Sequence, residues 1–182
     1  MRVVAGSARG KRLETLQGDD VRPTTDMVKE AVFNIIQFNI EGRRFLDLFS
    51  GSGQMGIEAL SRGAKQAVFV DQSRRSINVI NKNIDFVGFR ERARVVNTEA
   101  LSFLAANNEK FDIAFLDPPY GTGLLQNVLP AVSQNINKAG LIICESPLKE
   151  ELTEKIGDFS LDRSYRYGKI KISIYCVRDE CL

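Results

Sequence analysis

Residues 46–60, LDLFSGSGQMGIEAL, decide the fold of this chain. The stretch opens with an apolar run that predicts a buried strand and closes with the spacing of a helix. Between the two lie Gly51, Gly53 and Gly56 in a G-x-G-x-x-G pattern. Glycines there let the backbone turn tightly and approach a ligand closely, while the following helix N-terminus favours a negative group. By itself, the pattern is a weak signal, since a tight strand-to-helix turn with no ligand is the alternative.

Strand-like and helix-like segments alternate outward from this stretch. The predicted strands are RFLDLF (44–49), QAVFVD (66–71), ARVVN (93–97), FDIAFLD (111–117) and GLIICES (140–146). The helices predicted after them are IEALSR (57–62), SRRSINVINKNIDFVG (73–88), EALSFLAAN (99–107), GLLQNVLPAVSQNI (123–136) and KEELTEKI (149–156). Apolar strands separated by helices indicate a parallel sheet that is covered on both faces.

The two ends of the chain depart from this alternation. FSLDRSYRY (159–167) and KIKISIYCV (169–177) leave no room for a helix and predict an antiparallel hairpin at Gly168. The fold class is therefore α/β, a Rossmann-like, mostly parallel sheet of about seven strands that ends in a hairpin. At the start, residues 2–16 predict a small hairpin, and residues 24–38 predict an amphipathic helix. We expect an N-terminal extension, residues 1–40, and a catalytic domain, residues 41–182.

Composition excludes several chemistries. The chain has no histidine, which removes Ser-His-Asp and Cys-His catalysis and any zinc site that needs imidazole. Its three cysteines form no C-x-x-C pair, so we expect no metal centre. No run approaches the ~18 apolar residues of a membrane span, and the first residues lack an apolar signal core. The chain is therefore expected to be cytoplasmic.

Basic residues are concentrated near both ends of the chain. Residues 1–12 contain no acid, and their cations are Arg2, Arg9, Lys11 and Arg12. Residues 163–171, RSYRYGKIK, mix basic side chains with tyrosines. This mixture suits a polyanion such as a nucleic acid. An ordinary solvated surface explains the charge equally well.

Three acids stand at or near the ends of successive predicted strands. Asp71 follows the first glycine by about twenty residues, where a carboxylate can accept both hydroxyls of a ribose. Asp47 lies inside the first strand, where a carboxylate suits a cationic amino group better than a pyrophosphate. Glu99 ends the third strand and is placed to accept from an adenine amine. S-adenosylmethionine has the matching ammonium, ribose and adenine.

The sequence LDPPYG (116–121) places an acid, two prolines and an aromatic ring at the end of the fourth strand. A nucleobase amine is a poor nucleophile because its lone pair is delocalised. Asp117 and the Pro118 carbonyl could accept its two N–H groups, with Pro118 and Pro119 holding that backbone rigid. Tyr120 could stack on the base, a contact worth ~1–3 kcal/mol. The alternative to a binding role is a structural one, in which Asp117 caps the strand, the prolines form a turn and Tyr120 packs against the protein.

These stretches resemble the class I S-adenosylmethionine-dependent methyltransferases that modify exocyclic amines. RVVAGSARGKRL (2–13), RPTTDMVKEAVFNII (22–36), LDLFSGSGQMGIEALSRGA (46–64) and KIKISIY (169–175) resemble more closely the bacterial RsmD family. The resemblance implies methylation of the guanine N2 amine in small-subunit (16S) ribosomal RNA, with either naked RNA or an assembled particle as substrate.

The resemblance also implies roles for particular residues. The expected cofactor contacts are Arg22, Thr24, Thr25, Asp47, Phe49, Ser50, Gly51, Gly53, Asp71, Gln72, Glu99 and Ala100. The expected RNA contacts are Arg2, Arg9, Lys11 and Arg12, and the target amine is expected at Asp117, Pro118, Pro119 and Tyr120. Arg22, Thr24 and Thr25 are expected to close over the cofactor.

Three alternatives stay open. The first is an N-methyltransferase for another amine, such as adenine N6 or a protein glutamine, although Asp117 before the prolines favours a nucleobase. The second is a nicotinamide-dependent oxidoreductase with the same glycine pattern, in which Asp47 and Asp117 would have no role. The third is a non-catalytic RNA-binding module, against which the intact set of acids argues.

Overall fold

The computed structural model describes residues 1–16 and 26–178 of the chain. The strands are β1 (Arg44–Leu48), β2 (Gln66–Asp71), β3 (Ala93–Asn97), β4 (Phe111–Leu116), β5 (Ile136–Pro147), β6 (Lys155–Ile156), β7 (Phe159–Tyr167) and β8 (Ile170–Val177). The helices are α1 (Asp26–Ile35), α2 (Gln54–Ser61), α3 (Arg74–Val87), α4 (Ala100–Ala106) and α5 (Leu124–Asn135), with a 3₁₀ turn at Arg90–Arg92. No helix in these described ranges is long and apolar enough to cross a membrane.

All eight strands form one sheet in the order β3-β2-β1-β4-β5-β8-β7-β6. Strands β1 to β5 are parallel, whereas β8, β7 and β6 pair antiparallel at one side. This confirms the predicted fold class, and the strand beyond the expected seven is the two-residue β6. Because the strand order reverses at β1 and β4, a crevice is expected at their carboxyl ends.

Both faces of the parallel sheet are covered because neighbouring residues of each strand point to opposite sides. Phe45, Phe69 and Ile113 pack in a cluster with α1, α2, α3 and residues of the N-terminal segment. Leu46 and Val68 point the other way and pack with α4 and α5. Two apolar layers therefore hold the sheet rigidly between them, so that the loops at its carboxyl edge start from fixed positions.

The helix predicted for residues 149–156 does not form. Its segment has only irregular structure before the short β6. The carbonyls there accept hydrogen bonds from outside: Glu150 from Lys171 Nζ (2.5 Å), Glu151 from Gln126 Nε2 (2.6 Å), Thr153 from the Tyr175 hydroxyl (2.8 Å) and Glu154 from the Leu161 N–H (2.8 Å). Partners on α5, β7 and β8 thus satisfy the backbone groups that a helix would have paired internally.

The N-terminal residues form the predicted hairpin, with an antiparallel bridge between Arg2 and Arg12. The hairpin packs on α2, where the buried Glu58 carboxylate accepts the N–H groups of Val4 (2.8 Å) and Ala5 (3.0 Å). Further on, Asn83 of α3 accepts from the Glu14 N–H at 2.8 Å. These contacts lead the chain towards the carboxyl edge of the sheet.

Candidate functional site

A cavity of about 700 Å³ opens at the carboxyl edge of the parallel strands. Residues that directly follow or end β1, β2, β3 and β4 all contribute to its wall. The lining consists of Leu16, Phe49, Gly51, Val70, Asp71, Gln72, Ser76, Thr98, Glu99, Ala100, Leu101, Asp117, Pro118, Pro119, Tyr120, Leu124 and Val128. The topology thus brings the glycine loop, the strand-end acids and the acid-Pro-Pro-aromatic stretch to one site.

The glycine loop is held in a tight, partly strained turn. Phe49 has φ +69°, and a left-handed backbone is uncommon for a residue with a bulky side chain. Ser50, the next residue, is held in place by two hydrogen bonds of its side chain. Its hydroxyl donates to the Asp47 carbonyl at 2.5 Å and accepts from the Val70 N–H at 2.9 Å. Gly53 precedes α2 with φ +78°. Ser50 and Gly53 therefore shape the loop without lining the cavity.

The third glycine of the pattern has a packing role. A Cβ atom on Gly56 would lie 2.3 Å from Cε1 of Phe69, far inside contact distance. Glycine at this position lets α2 approach β2 closely, as it does in other dinucleotide-type folds. The close approach brings the first turn of α2 over the end of β1.

Asp71 joins the glycine loop to the cavity. Its Oδ2 accepts the Gly51 N–H at 2.9 Å, and its Oδ1 accepts the Ser73 N–H at 2.8 Å. The half-buried side chain also lines the cavity, next to Gln72. A carboxylate held by two backbone donors is fixed in position, as recognition of a ribose diol requires.

Asp47 lies beneath the glycine loop and outside the cavity lining. It is only 2% exposed, and its Oδ2 accepts the Gly56 N–H at 2.9 Å. The pKa of Asp47 is raised from 3.8 to about 8, chiefly by burial and less by the charge of Asp71, against the lowering effect of the Gly56 hydrogen bond. The acid therefore braces the loop from below, and its contact with a ligand ammonium stays a prediction.

Glu99 and Ala100 lie in the part of the cavity wall that follows β3. Glu99 is the exposed residue that precedes α4, and both residues line the wall. Thr98 and Leu101 flank them there. A polar acid beside two apolar side chains suits a planar heterocycle with an amino group, as predicted for adenine.

The stretch from Asp117 to Tyr120 forms the wall next to β5. Asp117 is half-buried and Pro118 is buried, whereas the Tyr120 ring is 40% exposed. The Tyr120 hydroxyl donates to Oε1 of Glu145 at 3.0 Å. One edge of the ring is thereby anchored, while the rest of the side chain lines the cavity and stays partly exposed.

Sequence reasoning missed Glu145 as a residue of this site. It lies near the end of β5 and is 3% exposed, which is unusual for a carboxylate. The signal was an acid directly after the apolar run LIIC (141–144). The other lining residues that were missed carry apolar or small side chains, which have no chemical signature of their own: Leu16, Val70, Ser76, Thr98, Leu101, Leu124 and Val128.

The predicted RNA contacts all lie exposed on the N-terminal hairpin: Arg2, Arg9, Lys11 and Arg12. Lys11 also donates to the carbonyls of Phe86 (3.4 Å) and Val87 (3.3 Å), where a cation stabilises the C-terminus of α3. The predicted contacts Arg22, Thr24 and Thr25 lie outside the described residues.

The sheet order, the glycine loop after β1 and the cavity at the carboxyl edge define the class of S-adenosylmethionine-dependent methyltransferases with a Rossmann-like fold. The solved structure of SMU.776 in complex with SAH shares this fold, with a TM-score of 0.70 over 82% of this chain and 49% of that one, at 14% identity.

The chain belongs to the family described as Conserved hypothetical protein 95, whose model matches residues 1–176. Ribosomal RNA small subunit methyltransferase D of Escherichia coli (strain K12) is 34% identical over 177 residues, covering 96% of this chain and 89% of the relative. The solved structure of yhhF from Escherichia coli is 35% identical, with a TM-score of 0.86 and 96% of both chains covered. The predicted resemblance to the RsmD family is thereby confirmed.

Proposed function

We propose that this protein transfers a methyl group from S-adenosylmethionine to the exocyclic N2 amine of a guanine in small-subunit ribosomal RNA. The observation that carries the proposal is the junction, in one cavity, of the loop braced by Asp71 with the Asp117–Tyr120 wall. Methylation of ribosomal RNA is supported by the name of the Escherichia coli relative. The guanine and its N2 position follow from the family resemblance.

The cavity fits the proposed cofactor. Its volume of about 700 Å³ is within the range of small-molecule sites. Asp71 would hold the ribose, and Glu99 with Ala100 would hold the adenine. When bound, S-adenosylmethionine supplies an electrophilic methyl group. The mixed wall of carboxylates and apolar side chains suits a cation that also carries a flat heterocycle.

The target amine is proposed to lie against Asp117. Its carboxylate accepts one N–H and the Pro118 carbonyl accepts the other, which directs the nitrogen lone pair towards the methyl group. Positioning of this kind can supply ~7–11 kcal/mol of a barrier. A carbon–nitrogen bond forms as the carbon–sulfur bond breaks, and the amine proton passes to Asp117 or to water. Tyr120 stacks on the base and keeps the amine in line.

The test compares wild-type protein with Asp117→Ala, using labelled S-adenosylmethionine and small ribosomal subunits from cells without the family's enzyme. We expect the variant to lose ~10²–10⁴-fold in rate. Its binding of S-adenosylmethionine, measured by calorimetry, should persist. The matched control is Asp158→Ala, which removes an exposed carboxylate from the turn between β6 and β7.

The product nucleoside decides the chemistry. N2-methylguanine in ribosomal RNA, absent with Asp117→Ala and present with Asp158→Ala, supports both the reaction and the site. Label in adenine, DNA or protein would overturn the proposed substrate, with naked ribosomal RNA and DNA as parallel acceptors. Loss of S-adenosylmethionine binding in Asp117→Ala would instead contradict the role given to that residue.

A further inference from the structure

We propose that the end of the β7–β8 hairpin is a second contact surface for the RNA strand that carries the target base. This surface comprises residues 163–171 and is called the basic hairpin end. The inference rests on the proposed function, because it names where the substrate lies next to the same cavity. The sequence marks these residues by their mixed basic and aromatic composition. The fold adds their position.

Strand pairing places the basic hairpin end at the edge of the sheet that carries the cavity. Leu116, directly before Asp117, pairs with Cys144 of β5. Strand β8 runs antiparallel to β5, so that its first residue, Ile170, pairs with Pro147 at the end of β5. The turn that joins β7 to β8 therefore projects from the carboxyl edge, beside the wall that begins at Asp117.

A row of paired residues connects the cavity wall to the hairpin. Tyr120 bonds to Glu145, Glu145 pairs with Ile172, and Ile172 pairs with Tyr165. Residues directly opposite each other point to the same face of a sheet. Strand β7 lies three strands from β4, a separation of roughly 14 Å at normal strand spacing. The basic hairpin end would therefore meet nucleotides next to the flipped or splayed target rather than the target itself.

The exposed chemistry of this surface fits a phosphate backbone. Arg166 and Lys169 are exposed, and no ion pair among the described residues involves either of them. Arg163 pairs with Asp162 at 3.1 Å, and Lys171 is half-buried and donates to the Glu150 carbonyl. Arg166 Nε donates to the Gly168 carbonyl at 3.2 Å, a bond to a neutral group that leaves its charge in place. Arg166 and Lys169 are thus the two exposed charges of this surface that an RNA strand can neutralise.

Aromatic rings accompany these charges. Tyr165 and Tyr167 are half-buried and pack against the cluster that also contains Val3 and Leu13 of the N-terminal hairpin. The two tyrosines of the basic hairpin end therefore lie on the face of the sheet that carries the N-terminal hairpin, and Arg166 between them points to the other face. Cationic side chains interleaved with anchored aromatic rings are the usual means of binding single-stranded RNA.

The experiment compares Arg166→Ser/Lys169→Ser with the matched control Lys65→Ser/Lys138→Ser. The control removes two exposed lysines from the opposite edge, just before β2 and in the first part of β5. Fluorescence anisotropy with a labelled small-subunit RNA fragment gives the Kd at several salt concentrations. Steady-state methylation gives kcat and KM, and calorimetry gives S-adenosylmethionine affinity.

We expect the hairpin variant to bind RNA about tenfold more weakly, equivalent to about 1.4 kcal/mol. The slope of log Kd against log salt should fall by about 1–2, one for each lost phosphate contact. KM for RNA should rise, whereas kcat, thermal stability and S-adenosylmethionine affinity should stay unchanged. The control variant should keep wild-type RNA affinity.

Equal RNA affinity in the two double variants would overturn the inference. That outcome would leave the proposed function intact if wild-type protein still methylates ribosomal RNA. A wild-type protein that methylates another acceptor and not ribosomal RNA would overturn the proposed function. The anisotropy measurement would then still show whether the basic hairpin end binds an RNA strand, and equal affinities there would again overturn the inference.

Discussion

At the scale of single residues, burial gives neighbouring carboxylates different tasks. Asp71 lines the cavity and holds the Gly51 and Ser73 N–H groups, so it is placed to meet a ligand. Asp47 lies in β1, buried beneath the glycine loop. Its pKa is raised to about 8, mainly by desolvation. The same side-chain chemistry therefore lies open to the cavity in one case and supports the loop in the other.

The raised pKa of Asp47 predicts a pH dependence of stability. Between its ordinary pKa of 3.8 and about 8, the folded state holds a proton that the unfolded state has released. The contribution of Asp47 to the free energy of unfolding is therefore fully present below its unfolded pKa of 3.8. It is lost as the pH rises towards the folded pKa of about 8. Denaturant unfolding of wild type and Asp47→Asn at pH 5, 6, 7 and 8 (about one unit apart) tests this.

The free energy of unfolding of wild type, measured relative to Asp47→Asn, should decrease steadily across that series. Since the asparagine does not titrate, other groups cancel in the difference. A difference that is constant with pH would show that the folded state holds no extra proton at Asp47, and would contradict the raised pKa.

The hydrogen bond between Tyr120 and Glu145 predicts coupled effects on base positioning. Tyr120→Phe and Glu145→Ala should each raise KM for RNA and lower kcat, because both free the ring edge. The double variant should lose no more activity than the more impaired of the two single variants. This corresponds to a coupling energy of roughly 0.5–3 kcal/mol between the two side chains. Glu145→Gln keeps an acceptor oxygen and should restore most activity.

Steady-state kinetics of the four variants, with thermal unfolding as a check on folding, measures this coupling. Strictly additive losses in the double variant would show that the two side chains act separately. Tyr120→Ala serves as the reference for complete loss of the stacking ring.

At the scale of elements, the contact of α2 with β2 depends on one missing side chain. Gly56 faces the Phe69 ring, and its N–H holds the Asp47 carboxylate. The close approach of α2 to β2 at Gly56 thus sets the positions of the helix N-terminus, the glycine loop and the buried Asp47. The segment 149–156 shows the opposite case, in which neighbouring elements prevent a helix from forming.

Gly56→Ala should destabilise the protein by ~1–3 kcal/mol, the usual cost of overpacking a core. Its Cβ would lie 2.3 Å from Phe69 Cε1 in the unrelaxed structure. Phe69→Leu in the same chain removes the obstructing ring atoms and should recover part of the loss. Urea unfolding measures each free energy, and an unchanged midpoint in Gly56→Ala would contradict the close packing.

At the scale of the whole molecule, one apolar cluster joins the N-terminal segment to the sheet. Val3, Ala8 and Leu13 of the hairpin and Val32 of α1 pack with Phe45 of β1. The division into residues 1–40 and 41–182 stays a prediction, and the packing indicates that both parts fold together.

We therefore expect a single cooperative unfolding transition, seen alike by circular dichroism and by hydrogen exchange of the hairpin amides. Glu58 is fully buried between the hairpin and Arg62. Glu58→Ala should lower the free energy of unfolding by on the order of 3 kcal/mol, because it removes the acceptor of the half-buried Val4 and Ala5 N–H groups and leaves both unpaired.

The matched control is Glu91→Ala, which removes an exposed carboxylate from the 3₁₀ turn. Exchange of the hairpin amides at a lower denaturant concentration than those of β1 in wild type would contradict a single transition.

The sequence by itself determined the parallel strands, the glycine loop and the strand-end acids, because these depend on periodicity and on local backbone requirements. Residues 159–177 were predicted as a hairpin for the same reason. The alternation of strands and helices along the chain can also be read from local patterns. It predicts a parallel sheet, and the carboxyl ends of its strands form the edge where Asp71, Glu99 and Asp117 line one cavity.

Only the tertiary structure decided the partners of particular side chains. The bond from Tyr120 to Glu145, the docking of the hairpin on Glu58 and the failure of the helix at 149–156 all join residues far apart in the chain. Whether Asp47 would face the cavity or brace the loop was equally undetermined, since strand position fixes the face of the sheet but not the depth of burial. These features depend on how the two apolar layers pack, which no local pattern encodes.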